Sequence, residues 1–577
     1  MAYTQVIPGR RRRVAALLPA LAGGLVLLLG LSSGLSHFVL PWFDHVPRLR
    51  LAEAVTAFLV FAGATAFLGW RAQGLSVPAP QRLAPWLLVG GLALSVVLAL
   101  GPMQSFPNSA DEYGYTFLAD TLLRGRLWNE PPPITEAFVH QYSFVKDGKW
   151  LSQYAPGWPA MLAGATLLGI PRVLVNPLLG IAAALLCWQV VRRVSVSPTA
   201  SSLALLAGLA TPFWLFNAAS FFNHGLALFC VAAVLALSLR DEASPSRWAK
   251  AGIGAAFAVL MATRYEVFAL VALLFGLDLL WRRRLRVLLD APWYALGAAP
   301  FLLGFLAYNW GITGNPLLTV QAWRGRGVEM GLNAVGFEGQ HSVGRAVQHM
   351  VVRLSYAVHF WGPLAMVLTA VCLAAKTLAL RLRWYDLLLP AAIGFFVLFP
   401  DGGGFQYGPR YWHFAIPGVM ATIATGLPNL EAVKGRWAAV PWKGLLAAGA
   451  LLHLCYGAGV TAGYAKFMDD QTSARRQPFT LAEQAGLSGA VILFWHPNLS
   501  YTLHPWQLKW RREGVQDFLR NGPDLSTPNL YVNATPATLP EICRLYGDRK
   551  VLSYDIDPAD AAGRLKEFSC DRLLGPS

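Results

Sequence analysis

The sequence predicts an all-α polytopic membrane protein carrying a small α/β domain at its C-terminal end. Three observations carry that reading. Hydrophobic residues make up 55% of the 577 and charged residues only 14%, with a mean hydropathy of +0.44, too apolar for a soluble chain of this length. Uncharged runs of about 20 residues recur through the first 463 positions, the length a helix needs to cross a hydrocarbon core. Beyond them the pattern changes to short β-prone runs at 490–495, 529–532 and 551–556, alternating with helix-like stretches such as 539–545. The spans are helical because lipid offers no partner to an unpaired backbone group.

About thirteen crossings are expected, at 14–36, 51–70, 83–101, 172–191, 199–217, 224–240, 249–263, 266–281, 291–310, 360–380, 385–400, 411–427 and 443–463. Residues 157–170 are apolar but short for a span, and read as an interfacial or re-entrant helix. With the N-terminus in the cytoplasm, short inside segments carry 21 Lys and Arg. Among these are Arg10–Arg13, Arg192, Arg193, Arg282–Arg284, Lys376 and Arg383. The outside segments hold 13 over far more residues, so loops 102–171 and 311–359 and the tail from 464 face outward. The net charge of +16 therefore reflects helix orientation, and nucleic acid is not an expected partner. Arg10–Arg13 precede a run longer than a signal-peptide core and without a clear cleavage site, so a retained first helix is expected. Cys187, Cys230, Cys372 and Cys455 fall in apolar runs as small hydrophobes. Cys543 and Cys570 lie in the tail, where an oxidising compartment would let them pair; spacing alone leaves that open.

The most informative segment follows the third crossing: Ser109-Ala-Asp-Glu-Tyr-Gly-Tyr-Thr-Phe-Leu-Ala-Asp-Thr-Leu-Leu-Arg-Gly125. Tyr115, Leu118, Ala119, Leu122 and Leu123 share a helical face, and Gly125 is placed to stop the helix. An amphipathic helix here lies along the interface and holds Asp111 and Glu112 over the mouth of the bundle. Ser109 and Glu112 have capping-box spacing, and a helix dipole favours acids in the first turn. That accounts for Glu112 in full. It accounts for Asp111 less well, because the box does not need it.

The pattern Asp-Glu-x-x-Tyr-x-x-x-Ala, followed by Gly125 and Trp128, resembles the first outer loop of the GT-C superfamily of integral membrane glycosyltransferases. It is similar to the bacterial lipid A aminoarabinose transferase and protein O-mannosyltransferase families. The likeness continues through residues 150–158 (Trp-Leu-Ser-Gln-Tyr-Ala-Pro-Gly-Trp), 263–266 (Thr-Arg-Tyr-Glu) and 407–411 (Tyr-Gly-Pro-Arg-Tyr), spanning most of 83–463. The resemblance implies a catalytic pair: Asp111 as general base or acceptor-positioning group, and Glu112 orienting acceptor or metal. One departure matters. The aminoarabinose transferases would place a Lys before a Pro-Pro, whereas this chain reads Tyr154-Ala155-Pro156-Gly157, so its donor phosphate needs another cation.

Two residues can supply it. Arg264 interrupts a pair of apolar helices, and a guanidinium near membrane depth faces a polar cavity or a partner, here Glu266 or a substrate. Arg410 ends a Gly-rich outer loop that opens a helix, where a fork-shaped cation suits a phosphodiester. Tyr115, Tyr154, His224, Glu266 and Tyr407 complete the substrate-binding candidates, although a lone His at a helix start also serves as a cap. No metal-ligand spacing stands out, and a divalent cation shared by Asp111, Glu112 and donor phosphate is left open. The charges of loop 311–359 (Arg324, Arg326, Glu329, Glu338, His341, Arg345, His349, Arg353) read as a solvated face.

The resulting expectation divides the chain into three. Residues 1–82 form a cytoplasmic tail with two extra helices, 83–463 a GT-C-like catalytic unit, and 464–577 an extracytoplasmic α/β domain. The enzyme would sit in the bacterial inner membrane among its lipids and move a monosaccharide from a polyprenyl-phosphate donor to a glycan, lipid or protein. Inversion at the sugar is implied by the resemblance. A lipid-linked glycan ligase or polymerase, and a transporter or flippase, are the alternatives.

Overall fold

A computed structural model describes residues 22–32, 46–71, 75–325, 330–336, 339–400, 406–432, 440–495, 518–556 and 563–570. Arg10–Arg13, Arg326, Glu329 and Glu338 lie outside them. The membrane part runs α1 (Ala22–Ser32), α2 (Val46–Arg71), α3 (Pro80–Leu100), α4 (Ala110–Leu123), α5 (Thr135–Phe138), the hairpin β1 (Ser143–Lys146) and β2 (Lys149–Ser152), α6 (Gly157–Leu167), α7 (Val175–Val194), α8 (Pro198–Leu209), α9 (Pro212–Ala219) and α10 (His224–Ala243). It continues with α11 (Arg247–Met261), α12 (Tyr265–Arg283), α13 (Val287–Thr313), α14 (Val320–Trp323), the short pair β3 (Val335–Gly336) and β4 (Gly339–Gln340), α15 (Val343–Phe360), α16 (Pro363–Leu378), α17 (Leu388–Val397), α18 (Ile416–Ala432) and α19 (Trp442–Gln484).

The chain is a multi-pass helical membrane protein. Among the described helices, α2, α3, α7 with its lead-in turn, α13 and α19 are long and apolar enough to cross alone. Two bent pairs, α8 with α9 (46°) and α15 with α16 (112°), raise five to seven. Several of the thirteen expected spans fall on shorter helices, such as α11 with 15 residues and α17 with 10. The run expected at 199–217 breaks between α8 and α9, and α19 continues for 43 residues, about 65 Å of helix.

Close approach packs the bundle where small residues face each other. A Cβ on Gly254 would sit 1.9 Å from the Tyr294 carbonyl oxygen, and one on Gly297 1.8 Å from that of Ala251, so α11 and α13 touch backbone to backbone. At the ends of α10–α13 the basic residues used above for orientation are paired. Lys250 meets Asp290 (2.9 Å) and Asp241 (3.5 Å), while Arg283 bridges Asp241 and Asp290 (both 2.8 Å). Arg282 and Arg383 share Glu242 and Asp278. These pairs pin one end of the bundle; the candidate site lies at the other, about 25 Å away along α10.

After α19 comes a four-stranded sheet: β5 (Val491–Trp495), β6 (Leu530–Ala534), β7 (Val551–Ile556) and β8 (Gly563–Glu567), ordered β6-β5-β7-β8. The first three are parallel, and β8 closes the edge antiparallel to β7. α20 (Leu539–Tyr546) packs on the sheet, and a disulfide ties its Cys543 to Cys570 after β8. Ile134, Ala137 and Phe138, from the loop between α4 and β1, enter the same core beside Val491, Leu493, Val532 and Ile542. The loop that carries α4 is therefore part of the tail's hydrophobic core. Reducing the disulfide, or Cys543→Ser, is expected to cost the sheet unit about 2–4 kcal/mol, read as faster proteolysis between residues 485 and 570 while the helical part resists.

Candidate functional site

α4 starts where the sequence places a cap. Ser109 is extended (φ −149°, ψ 162°), and its Oγ accepts the Glu112 N–H at 3.2 Å. Glu112 then bonds backward and across. Its Oε2 accepts the Asn108 N–H (2.7 Å) and the Ser109 hydroxyl (3.1 Å), and its Oε1 accepts the Phe221 N–H (2.8 Å) from the turn between α9 and α10. Only 1% of Glu112 is exposed. Burial pushes its carboxyl up to about 7, against the opposing pull of the Phe221, Asn108 and Ser109 hydrogen bonds. The expected amphipathic surface helix is in fact buried on nearly every side, with Tyr113, Thr116 and Phe117 covered as well as Tyr115, Leu118 and Ala119.

Asp111 is set apart from its neighbour. Its side chain is 23% exposed; Oδ1 accepts the Tyr154 hydroxyl at 2.5 Å and Oδ2 accepts Arg410 Nη2 at 3.3 Å. Tyr154 reaches α4 because Gly114 leaves room: a Cβ there would lie 2.7 Å from its ring. Burial, then the Asp111 charge, raises the Tyr154 phenol well above its ordinary value, so it stays a donor. Tyr115 and Tyr142 flank its ring at 4.3 and 5.6 Å.

Three guanidiniums surround the ring of Tyr411. Arg264, Arg410 and Arg353 lie 5.4, 5.7 and 5.9 Å from its centroid. Arg264 caps α12, donates to Glu266 through Nε (2.8 Å) and Nη2 (2.5 Å), and reaches His224 through Nη1. Arg410 opens the turn Arg410–Ala415, lies 4.0 Å over the Phe222 ring, and leaves its buried Nε with no partner among the described residues. Arg353 is 1% exposed and donates to the Phe396 carbonyl at 2.6 Å. It was expected on a solvated loop. It lies instead on the inner face of α15, where α17 covers it.

Asp111, Arg410, Tyr154 and Tyr115 thus come together, with Arg264, Glu266 and His224 beside them. Tyr407 stands apart. It is fully buried with φ +63°, its carbonyl accepts from Asn217 (3.0 Å), and its ring packs with Phe216, Phe222 and Tyr464. Both Glu112 oxygens accept hydrogen bonds from the chain itself. Among the described residues no three His, Cys, Asp or Glu gather as ligands. The resulting pocket gathers three guanidiniums around Tyr411 beside the carboxylates Asp111 and Glu266.

No family model and no curated protein matches the chain. Solved structures do. ArnT, the lipid A aminoarabinose transferase, from Cupriavidus metallidurans aligns in its apo state at 14% identity and TM-score 0.49, over 81% of this chain and 93% of that one. The same protein bound to undecaprenyl phosphate aligns at 14% and 0.48, over 81% and 92%. The Archaeoglobus fulgidus oligosaccharyltransferase, tethered to an acceptor peptide containing an NVT sequon, aligns at 10% and 0.41, over 76% and 64%. At these values the likeness supplies neither a substrate nor a role for any side chain.

Two outcomes follow for Glu112. Between pH 4.5 and about 7 the folded chain keeps a proton the unfolded chain has released, so stability falls as pH rises through that window. Glu112→Gln flattens that part of a thermal-unfolding profile in detergent; an unchanged slope would show the carboxyl to be ordinary. Glu112→Ala strands the Asn108 and Phe221 amides and costs about 1–3 kcal/mol per group left unpaired.

Proposed function

We propose that this chain is a membrane glycosyltransferase that moves a monosaccharide from a polyprenyl-phosphate donor to an acceptor hydroxyl on the non-cytoplasmic side. The observation that carries this reading is one exposed carboxylate, Asp111, in direct contact with a cluster of buried guanidiniums. Glycosyl transfer from a phosphate needs these two features side by side: a base for the incoming oxygen and cations for the outgoing one.

The roles follow from geometry. Asp111 keeps a free lone pair on each oxygen after Tyr154 and Arg410 have bonded, and takes the acceptor's proton. The acceptor oxygen forms a bond to the anomeric carbon while the bond from that carbon to the phosphate oxygen breaks, and the leaving phosphate keeps the electron pair. Arg410, with an unfilled Nε, and Arg353 and Arg264 around Tyr411 hold the charge that develops there. A single displacement inverts the sugar. Glu112 acts through α4 as a positioning residue.

This reading includes the thirteen-span topology, a cytoplasmic N-terminus, a bacterial inner-membrane location and an outward-facing tail. The Cys543–Cys570 disulfide supports the last of these, since such bonds persist in oxidising compartments. Its division at 82 and 463 is the one expected above, with α19 running through the second boundary.

Purified protein incubated with radiolabelled polyprenyl-phosphate sugars and envelope extract should yield a labelled product. Asp111→Asn is expected to cut that transfer by about 10²–10⁴-fold with expression intact; a fully active Asn variant sinks the assignment. Arg353→Gln is expected to weaken donor use by roughly tenfold, the worth of one charged hydrogen bond. Wild-type KM and kcat in that variant would return Arg353 to a packing role.

A further inference from the structure

The face of α4 turned away from Asp111 borders a second cavity, of about 1070 Å³. Tyr113, Thr116 and Asp120 form one wall; the chain after α3 (Gln104–Pro107) and the outer end of α19 (Arg476, Phe479, Glu483) form the others. Arg172 and Arg520 line it as well. Among the lining residues are three arginines against two carboxylates, Asp120 and Glu483. The arginines come from three distant parts of the chain, which local sequence bias does not explain.

Their contacts differ. Arg172 is matched to Asp120 at 2.6 Å, so that pair brings no net charge. Arg520 donates to the Pro107 carbonyl at 2.6 Å and lies 4.0 Å over Phe106 and 5.3 Å over Tyr113, held by rings whose faces attract a cation. Arg476 has one long contact, 3.5 Å to the Gln104 carbonyl, and its fork is otherwise open to the cavity. The lining also includes Leu100, at the end of the apolar helix α3, and Val173. Guanidiniums sharing a cavity with apolar side chains at the end of an apolar helix match a phosphate headgroup joined to acyl chains.

We propose that this cavity binds the phosphate of an anionic membrane lipid, with Arg476 and Arg520 as its ligands, behind the helix that carries Asp111. A free inorganic phosphate offers the same oxygens but nothing for Leu100 and Val173. The lipid also fits the position: it would brace α4 from behind, between the bundle and the C-terminal sheet unit.

The test uses the full chain in phosphatidylcholine nanodiscs with or without phosphatidylglycerol. Retained lipid is counted by native mass spectrometry, and the thermal midpoint is read in parallel. Wild-type protein is expected to retain phosphatidylglycerol and gain stability from it. Arg476→Gln should weaken that retention roughly tenfold, and Arg476→Lys, which keeps the charge without the fork, should recover part of it. Arg410→Gln should bind as wild type does. Equal retention by Arg476→Gln and wild type overturns the proposal. So does loss in Arg410→Gln alone, which would put the anion at the Asp111 pocket, or a full stability gain from inorganic phosphate, which would remove the lipid. No readout involves sugar transfer, so the result stands apart from the fate of the proposed activity.

Discussion

Glu112 accepts the backbone amide of Asn108 just before it and that of Phe221, 109 residues further along the chain, and everything at the candidate site is measured from that junction. Its Oε2 holds the residues just before α4, and its Oε1 holds the turn from which α10 starts. The entry angle of α4 is thereby fixed to the bundle. Asp111, one residue earlier and about 100° around the helix, is aimed at Tyr154 and Arg410 as a consequence. A carboxylate buried this deeply is costly unless its acceptors are filled. Filling them with amides from both sides makes the cost conditional on both elements being in place, which joins the assembly of α4 to that of α9 and α10.

The cationic side of the pocket faces the opposite problem. Three guanidiniums in one low-dielectric site repel one another. Tyr411 resolves this by position. Its ring keeps Arg264, Arg353 and Arg410 on separate approaches at 5.4–5.9 Å, while its own stacking on Phe396 (5.0 Å, 21°) holds it still. Glu266 and Asp111 each offset one charge from the rim. Arg264 and Arg410 each keep a carboxylate partner at the rim while their guanidiniums remain grouped around one ring.

How much of this was legible in the sequence differs by residue. The Ser109–Glu112 cap was readable because capping is local chemistry. Arg264 and Arg410 could be singled out because a cation in an apolar or Gly-rich setting is unusual in itself. Arg353 could not, since its neighbours in sequence are loop charges and its burial comes from Phe396, 43 residues away. The signal that existed was the apolar face of residues 343–360, which continues around Arg353; weighing that period against the loop's charge would have moved it inward. Tyr407 drew attention by its place in the motif, and its ring packs against Phe216, Phe222 and Tyr464. α11 holds its place by contact with α13 through Gly254 and Gly297, which no window average of hydropathy registers.

The two faces of α4 explain why the C-terminal sheet unit matters to the site although it contributes no side chain to it. On the face away from Asp111, Tyr113 donates to the Asn521 carbonyl at 2.7 Å and Arg124 pairs with Asp524 at 3.1 Å. The loop following α4 enters that unit's core through Ile134, Ala137 and Phe138. The helix is thus clamped between a membrane bundle that sets the direction of its first turn and a sheet unit that holds its last. Surface ion pairs alone contribute little to such a clamp, so the apolar insertion is its stronger half. A displacement of the sheet unit would have to carry the loop with it, and the loop is continuous with α4. The separation between carboxylate and cations is therefore set by packing on both faces of α4, not by the pocket's own residues alone.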